Sequence, residues 1–317
     1  MRVVVTGGCG FIGSCLVESL VDENEVIIVD NLSNGSLSNI DPSVRDRVVV
    51  NISDLKNYPG DWVSCFSGVD VVFHFAANPE VRVSSVEPRI HFDENVVVTF
   101  NVLEACRKYG VKYFVFASSS TVYGDARVIP TPEDYQPLEP ISVYGASKLA
   151  SAALIISYSK LYGIRSLILR YANIIGPKSN HGVIVDFINK LRRNPSQLEI
   201  LGDGTQRKSY LYIDDAIDAT LHLFNVFKDS GREYDVFNVG NRDWITVREI
   251  ADIIVEEIGL SDVKYVFKPA TRDGRGWPGD VKFMLLDISK LMKTGWKPKY
   301  SSYEAVRKTV RGLISLS

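Results

Sequence analysis

In the first half of the chain, short apolar runs rich in valine and isoleucine alternate with longer segments in which apolar residues recur at helical spacing. A continuous apolar run of about four to eight residues is typical of a strand buried on both faces of a sheet. The runs predict six strands, at residues 3–6, 25–30, 48–50, 69–75, 113–118 and 166–170. Strands that alternate with helices indicate a parallel sheet in a doubly wound α/β domain.

This regular alternation ends near residue 170. Beyond it, the spacing predicts helices at residues 183–193, 214–227 and 246–259, strands at 198–201, 210–213 and 236–239, and a loop at 171–182. We therefore expect a first domain at residues 1–172 and a smaller α/β domain at residues 173–317, with the chain crossing back to the first domain at least once.

A glycine-rich turn, GGCGFIG at residues 7–13, joins the first predicted strand to a helix, and the next strand ends in Asp30. Glycines let the backbone approach a pyrophosphate, whose charge meets the helix N-terminus, while an acid about 20 residues further on binds the adenosine ribose. Glycine turns also begin ordinary helices, but the full order of strand, turn, helix, strand and acid favours a Rossmann-type dinucleotide-binding domain. Asn31 and Leu32 follow Asp30 with no arginine for a 2′-phosphate, which favours NAD over NADP.

Candidate chemistry lies on a predicted helix that ends near residue 162. Tyr144 and Lys148 are four residues apart and share one helix face. Lowering a tyrosine pKa from about 10 to about 7 takes roughly 4 kcal/mol, which an ammonium and a cationic nicotinamide can supply together. The pair therefore fits a general base that takes a proton from an alcohol, although the same spacing occurs on ordinary amphipathic helices. The hydroxyls of residues 118–121 follow the fifth strand, where open α/β sheets bind ligands.

Composition narrows the classes of function. The chain has 317 residues, 45% of them hydrophobic and 23% charged, with a net charge of −2, so it has neither a basic stripe for nucleic acid nor a polybasic membrane anchor. It shows no apolar run of membrane-spanning length and no export segment. The four cysteines have no paired spacing and the four histidines no metal-ligand spacing, so we expect a cytoplasmic protein with reduced thiols and no metal site.

Taken together, these motifs resemble the extended short-chain dehydrogenases/reductases, most of all the nucleotide-sugar epimerases typified by UDP-glucose 4-epimerase. The resemblance spans nearly the whole chain. The motifs that carry it are TGGCGFIGS at 6–14, DNLS at 30–33, HFAA at 74–77, SSSTVYG at 118–124, YGASK at 144–148, RYAN at 170–173, GDG at 202–204 and GDV at 279–281.

The resemblance implies roles for particular residues. The implied catalytic set is Ser119, Tyr144 and Lys148. The implied NAD-binding set is Gly7, Gly10, Phe11, Ile12, Asp30, Asn31, Asp54, Leu55, Phe75, Ala76, Ala77, Tyr144, Lys148 and Tyr171, with Asn95 on the long helix behind the active site. The implied nucleotide-sugar set is Ser119, Tyr144, Asn173, Val183, Lys208, Tyr210, Arg275 and Asp280.

The resemblance also implies a reaction. Members share oxidation of sugar carbon 4 by NAD, but the similar 4,6-dehydratases place an Asp-Glu pair after the serine or threonine, and decarboxylating members carry a Glu where Thr121 stands. Ser120 and Thr121 cannot act as acid or base near neutral pH. We therefore expect NAD-dependent inversion of carbon 4 of a UDP-hexose, UDP-glucose or UDP-galactose, through a transient 4-keto sugar, with Tyr144 as base and NAD retained.

Three alternatives stay open. The first is a dehydrogenase or reductase of a nucleotide-linked keto sugar that releases its cofactor in each turnover. The second is a UDP-glucuronate 4-epimerase. The third is a non-catalytic NAD-sensing scaffold, which both Tyr144 and Lys148 argue against.

Two positions depart from the resembled family. Lys208 stands where most members have an arginine, with Arg207 beside it as the alternative. Trp277 and Pro278 precede the GDV motif where members often have an arginine, which leaves Arg275 either to reach the phosphates from further back or to be a solvated surface charge.

The predicted helices at residues 88–109 and 143–162 carry apolar residues around much of their circumference. In the resembled family such a pair forms a four-helix contact between two chains, which implies a homodimer. Burial within one chain explains the same pattern.

Overall fold

The computed structural model describes residues 1–315. Its strands are, in chain order, β1 (Arg2–Thr6), β2 (Glu25–Asp30), β3 (Val49–Ile52), β4 (Val71–His74), β5 (Tyr113–Ser119), β6 (Arg165–Tyr171), β7 (Asn173–Ile175), β8 (Gln197–Leu201), β9 (Arg207–Lys208), β10 (Tyr210–Tyr212), β11 (Tyr234–Val239), β12 (Ile245–Thr246), β13 (Lys264–Lys268) and β14 (Phe283–Met284). Its α-helices are α1 (Phe11–Leu20), α2 (Pro42–Arg45), α3 (Arg89–His91), α4 (Val98–Tyr109), α5 (Val143–Tyr162), α6 (Val183–Arg193), α7 (Ile213–Asp229), α8 (Val247–Ile258), α9 (Ser289–Met292) and α10 (Ser302–Ser315).

The residues fall into two compact units. The first unit consists of Met1–Val122, Val143–Arg170 and Ile217–Phe237. The second unit consists of Tyr123–Ser142, Tyr171–Ala216 and the described residues from Asn238 onward. The assignment of cofactor binding to the first part of the chain and of sugar binding to the later part stays a prediction.

A seven-stranded sheet in the order β11-β6-β5-β4-β1-β2-β3 is the centre of the first unit. Strand β1 pairs in parallel with β2 on one side and with β4 on the other, so the strand order reverses at β1. The apolar runs form these strands because they are buried on both faces, and Val3, Val4 and Val5 have no exposed surface. The sheet and its helices confirm the predicted Rossmann-type α/β fold.

Helices α4 and α5 cover the sheet through a core that includes Trp62, Phe66, Phe114 and Ile155, all fully buried. The helical stretch predicted at residues 88–109 is present but not uniform, because a π-helical segment, Phe92–Val97, lies between α3 and α4. Such segments are rare and often occur at functional sites. Gly110, with φ of 67°, ends α4 in the left-handed conformation.

The second unit is also α/β but uses short strands. Strand β7 pairs in parallel with β10, β8 pairs in parallel with β13, and β12, β9 and β14 form a third sheet. Helix α8 begins with a capping box between Thr246 and Glu249, as its predicted start at residue 246 suggested. The loop predicted at residues 171–182 is wrong at β7, because the three residues of that strand form through pairing with β10, which is distant in sequence.

No helix within residues 1–315 is both long and apolar enough to cross a membrane.

Candidate active site and nucleotide-binding residues

The turn between β1 and α1 fits the close approach of a cofactor backbone. Gly7 has φ of +69°, and a Cβ at this position would lie 2.7 Å from the backbone nitrogen of Ala76. Helix α1 follows with Gly10 as its extended N-cap, and no side chain in the described part of the chain caps it. The first-turn backbone at Phe11 and Ile12 therefore presents N–H groups and the positive end of the helix dipole to an anion.

Asp30, at the carboxyl end of β2, is held in a fixed orientation. Its carboxylate is 7% exposed and accepts hydrogen bonds from the backbone N–H of Cys9 at 2.9 Å and of Leu32 at 2.7 Å. A carboxylate has about four acceptor positions, so each oxygen keeps capacity for a ribose hydroxyl. Asn31 is exposed, and its side-chain oxygen accepts from the N–H of Ser33 at 3.0 Å. This pattern of donors and acceptors fits the adenosine part of NAD.

The other residues expected at NAD follow the carboxyl ends of strands; they are Asp54 and Leu55 after β3, Phe75, Ala76 and Ala77 after β4, and Tyr171 at the end of β6. Asp54 accepts from the N–H of Lys56 at 2.9 Å, and the carbonyl of the buried Leu55 accepts from the Asn101 amide at 2.8 Å. Tyr171, in contrast, is a buried residue of the second unit.

Ser119, Tyr144 and Lys148 come together in the first unit, where the end of β5 meets the first turns of α5. The Lys148 ammonium donates to the carbonyl of Ala117 at 2.9 Å and lies 5.9 Å from the Tyr144 ring centroid and 5.0 Å from that of Phe116. Ser119 and Tyr144 are joined by a side-chain hydrogen bond. The predicted shared helix face of Tyr144 and Lys148 is thus directed at the end of the sheet.

Removal from water governs the acidity of this group. It raises the pKa of the Tyr144 phenol to about 12, and the hydrogen bond from Ser119 opposes the rise. Burial also lowers the pKa of Lys148, which is 4% exposed, to about 7. The spacing of Tyr144 and Lys148 predicted an ammonium that lowers the tyrosine pKa, but desolvation dominates, because it raises the pKa of Tyr144 and disfavours the charged form of Lys148.

The orientation of Ser119 follows from its neighbour Thr121. The Ser119 Oγ accepts from the Thr121 N–H at 3.2 Å and from the Thr121 hydroxyl at 3.0 Å. A serine hydroxyl has two acceptor positions and one hydrogen. Since Thr121 fills both acceptor positions, the hydrogen of Ser119 is left for the Tyr144 oxygen, which agrees with the direction of the pKa effect.

Asn95 lies in the π-helical segment and is 1% exposed. Its side-chain amide donates to the Ser147 hydroxyl at 2.8 Å, and this hydroxyl donates to the carbonyl of Tyr144 at 2.7 Å. Its side-chain oxygen accepts from the N–H of Asn78 at 2.8 Å. Asn95 therefore supports the first turn of α5, while its expected contact with NAD stays a prediction.

His91 is a site residue that the sequence reasoning missed. It is fully buried, and its ring meets the Tyr144 ring edge-on, with centroids 5.5 Å apart and an interplanar angle of 74°. The Glu80 backbone lies near the imidazole, but neither ring nitrogen has a partner with hydrogen-bond geometry among residues 1–315. Burial lowers the His91 pKa and so favours the neutral form of the ring. Its position one turn before Asn95 was the available signal.

The residues expected at the nucleotide sugar, apart from Ser119 and Tyr144, belong to the second unit. Lys208 and Asp280 form an ion pair of 2.6 Å, with Asp280 2% exposed. Tyr210 is buried, and burial and the negative charge of Asp280 both raise the pKa of its phenol. Asn173 pairs with Tyr210 across β7 and β10, and Val183 is the first residue of α6.

Arg275 is held by acidic groups of the second unit. Its guanidinium donates to Asp273 at 2.6 Å, to Asp125 at 2.9 Å and to the backbone carbonyl of Asp280 at 2.8 Å. These contacts and an exposed fraction of 18% contradict the alternative that Arg275 is a solvated surface charge. Arg207 lies elsewhere, because successive residues of a strand point to opposite faces, and its guanidinium covers the Trp244 ring at 5.7 Å.

Within residues 1–315, no group of three or more histidine, cysteine, aspartate or glutamate side chains is arranged to hold a metal ion.

Comparison with known proteins adds an independent line of evidence. The family model described as the NAD dependent epimerase/dehydratase family matches residues 3–240. A protein of Methanocaldococcus jannaschii named putative UDP-glucose 4-epimerase is 38% identical over 314 residues, which cover 97% of each chain. A UDP-glucuronate 4-epimerase of Thermodesulfobacterium geofontis is 30% identical over 97% of this chain and 94% of its own.

Solved structures agree with this match. A crystal structure of a UDP-galactose 4-epimerase superposes with a TM-score of 0.89 at 51% sequence identity and covers 100% of this chain and 99% of the other. The similarity therefore extends over both units.

Proposed function

The chain belongs to the NAD-dependent epimerase/dehydratase family, among its UDP-sugar 4-epimerases, and from this premise we propose that it interconverts UDP-glucose and UDP-galactose by inverting carbon 4. The observation that carries the proposal is the buried group of Ser119, Tyr144 and Lys148 at the end of β5. Positions 120 and 121 carry no carboxylate. The resembled 4,6-dehydratases and decarboxylating members have an acidic residue in this stretch.

We assign NAD to the turn after β1 and to Asp30. When bound, NAD accepts the hydrogen of carbon 4 together with its electron pair and later returns it. Gly7 and the first turn of α1 would hold the pyrophosphate, and the Asp30 carboxylate would accept a hydrogen bond from the adenosine ribose. The order of the β1–β2 unit and the absence of an arginine after Asp30 support NAD over NADP.

Tyr144 takes the proton of the 4-hydroxyl, and Ser119 donates a hydrogen bond to the Tyr144 oxygen. Moving the tyrosine pKa from about 12 to about 7 requires roughly 7 kcal/mol in favour of the phenolate. A protonated Lys148 and a cationic cofactor carry the charge that favours it, and both act strongly in a site removed from water. Tyr144 is therefore a base in the loaded protein and a weak acid without its cofactor.

Ser120 and Thr121 limit the reactions that are open to the 4-keto sugar. Thr121 fixes the hydroxyl of Ser119 by two hydrogen bonds, and neither residue can protonate a leaving hydroxyl or deprotonate a neighbouring carbon near neutral pH. The keto sugar can therefore only take its hydrogen back. Return to the opposite face of carbon 4 gives the epimer and leaves NAD as it began.

The experiment is incubation of the purified protein with UDP-galactose, with UDP-glucose measured by chromatography and nicotinamide absorbance followed in the same sample. We expect UDP-glucose to form with no net accumulation or loss of NADH. A requirement for added NADH in proportion to product would favour the reductase instead. Because a 30% identical relative is named for UDP-glucuronate, a parallel incubation with UDP-glucuronate decides between a neutral hexose and a uronate as the substrate. Faster turnover of the uronate would contradict the proposed substrate.

We also propose that the protein is a cytoplasmic homodimer. Several large apolar side chains of the α4 and α5 region are exposed: Phe92 at 52%, Phe100 at 43%, Leu161 at 71% and Tyr162 at 50%. A patch of this kind supports a contact with a second copy of the chain. Sedimentation of the wild type and of Leu161→Glu tests it, and a monomeric wild type would contradict it.

A further inference from the structure

Arg275 has little capacity left for a phosphate. A guanidinium binds an oxyanion best through two N–H groups on one edge, either Nε with Nη2 or Nη1 with Nη2. Here Nε donates to Asp273, and Nη1 donates to Asp125 and to the Asp280 carbonyl. Each bidentate edge therefore contains a nitrogen that is already bound to oxygen.

The surroundings of Arg275 also disfavour an anion. The guanidinium lines a cavity of about 310 Å³ whose walls also include Asp125, Asp273 and Lys282. Two carboxylates and two cations give these walls no net positive charge. The Lys282 ammonium is itself bound to Asp203 at 2.8 Å. A diphosphate placed at Arg275 would meet both carboxylates at close range, and like charges repel.

Lys208 is placed differently. Its ammonium is bound to one oxygen of Asp280 and lies 5.4 Å from the Trp277 ring centroid, with its side chain 19% exposed. An ammonium has three N–H donors, and Asp280 uses one of them. The ammonium can therefore donate to phosphate oxygens while it keeps its carboxylate partner. The ring of Trp277 lies against the Lys208 ammonium as a cation–π partner and adds no second charge.

Arg275 affects the position of Lys208 indirectly, through the main chain of Asp280. The Arg275 guanidinium donates to the backbone carbonyl of Asp280, and the carboxylate of Asp280 in turn binds the Lys208 ammonium. Asp125, 150 residues away in sequence, binds the same guanidinium and fixes its position. We infer that Asp125 and Arg275 are positioning residues, a pair that fixes Asp280, and that Lys208 supplies the side-chain charge for the diphosphate of the nucleotide sugar. This inference rests on the proposed function.

The test is calorimetric titration of the purified protein, at its native NAD content, with UDP and with uridine. The ratio of the two Kd values isolates the contribution of the phosphates. We expect Lys208→Met to raise the Kd for UDP by about tenfold or more and to leave that for uridine nearly unchanged, since it removes one charged hydrogen-bond donor. Because Arg275 and Asp125 act on the diphosphate through Asp280 and Lys208, we expect Arg275→Met and Asp125→Asn to raise the Kd for UDP less than Lys208→Met does, and to cause no further rise in a chain that already carries Lys208→Met.

Two further variants keep the test decisive. Arg275→Lys keeps the charge but cannot bridge three acceptors, so we expect it to behave as Arg275→Met does. The double variant Asp125→Asn with Arg275→Met should be no weaker than the Arg275→Met variant, because the two residues act as one unit. The exposed Arg272→Met, three residues away, is the matched control and should change neither Kd value.

The outcomes separate the two claims. A further loss of UDP affinity when Arg275→Met is added to Lys208→Met, or an unchanged ratio of the two Kd values in Lys208→Met, would overturn the inference and leave the proposed function intact. A wild-type protein that binds no UDP at all would overturn both.

Discussion

Replacement of Lys148 by methionine should stabilise the protein near neutral pH while it abolishes turnover. Lys148 is 4% exposed, and its ammonium donates to one acceptor, the Ala117 carbonyl at 2.9 Å. Methionine has a similar unbranched chain, so the packing around Phe116 is largely preserved. The substitution therefore removes the charge of Lys148 and keeps most of its side-chain volume.

The magnitude follows from the pKa of Lys148, which burial lowers from 10.5 to about 7. Between these two values the unfolded chain binds more protons than the folded one, so the wild-type free energy of unfolding rises with pH across this window. At about pH 7 the buried ammonium destabilises the fold by about 4 kcal/mol. Loss of the hydrogen bond to Ala117 costs about 1–3 kcal/mol. We expect the variant to be more stable by about 1–3 kcal/mol at about pH 7.

The same reasoning gives a reversal with pH. At about pH 10 the folded wild-type amine is neutral and still donates to Ala117, while the unfolded amine, with its pKa of 10.5, is still mostly protonated. The penalty that remains is below about 1 kcal/mol, so the variant should lose most of its advantage and become the less stable protein. Urea denaturation followed by circular dichroism at both pH values measures this difference. Lys160→Met is the control, because Lys160 lies on the same helix but is exposed and paired with Glu233, and it should show no reversal. A Lys148→Met variant that is less stable than wild type by the same amount at both pH values would refute the reasoning.

Two other substitutions test the site from different sides. Gly7→Ala should abolish NAD binding, because the new Cβ would lie 2.7 Å from the backbone nitrogen of Ala76. Gly110→Ala is the control, because its Cβ would meet no atom within 4 Å and the variant should keep its NAD. The NAD released on denaturation measures both, and equal NAD contents would contradict the prediction. His91→Phe keeps an edge-on ring against Tyr144 and removes a group whose folded pKa lies below 6.5. The wild type should therefore lose more stability than the variant as the pH falls below 6.5. If the free energies of unfolding of the two proteins fall in parallel with pH, His91 does not titrate.

Much of the fold could be predicted because its signals are local. Strand β2 and helix α6 occupy the predicted residues, since a β-branched run and an amphipathic period are each complete within one segment. Helix α1 begins at Phe11, inside the glycine-rich turn at residues 7–13, because Gly10 already serves as its N-cap. Boundaries of this kind depend on cap geometry that periodicity does not report.

Other elements exist only through distant partners. Strands β9 and β14 have two residues each, and their pairing joins Arg207 to Phe283 and Lys208 to Met284. No periodicity can appear in two residues, so such strands carry no local signal. The same holds for β7 within the predicted loop.

Some features of the site could likewise be predicted from local sequence, and others depend on residues that are distant in sequence. The shared face of Tyr144 and Lys148 could be predicted from a spacing of four, and the acid at the end of β2 from the order of the βαβ unit. The direction of the Tyr144 pKa shift could not, because desolvation depends on the side chains that pack around the phenol. The bond between Asp125 and Arg275 crosses 150 residues and has no motif to announce it.

The measurement that tests the central claim most directly is the rate at which Tyr144→Phe converts UDP-galactose, with bound NAD measured in the same preparation. Loss of a general base typically lowers the rate by about a hundredfold to ten-thousandfold. We expect a loss of this size with the NAD content unchanged, because the phenyl ring keeps its contact with His91 and only the oxygen that bonds to Ser119 is gone. A variant that retains near wild-type turnover would show that the proton leaves the sugar by another route.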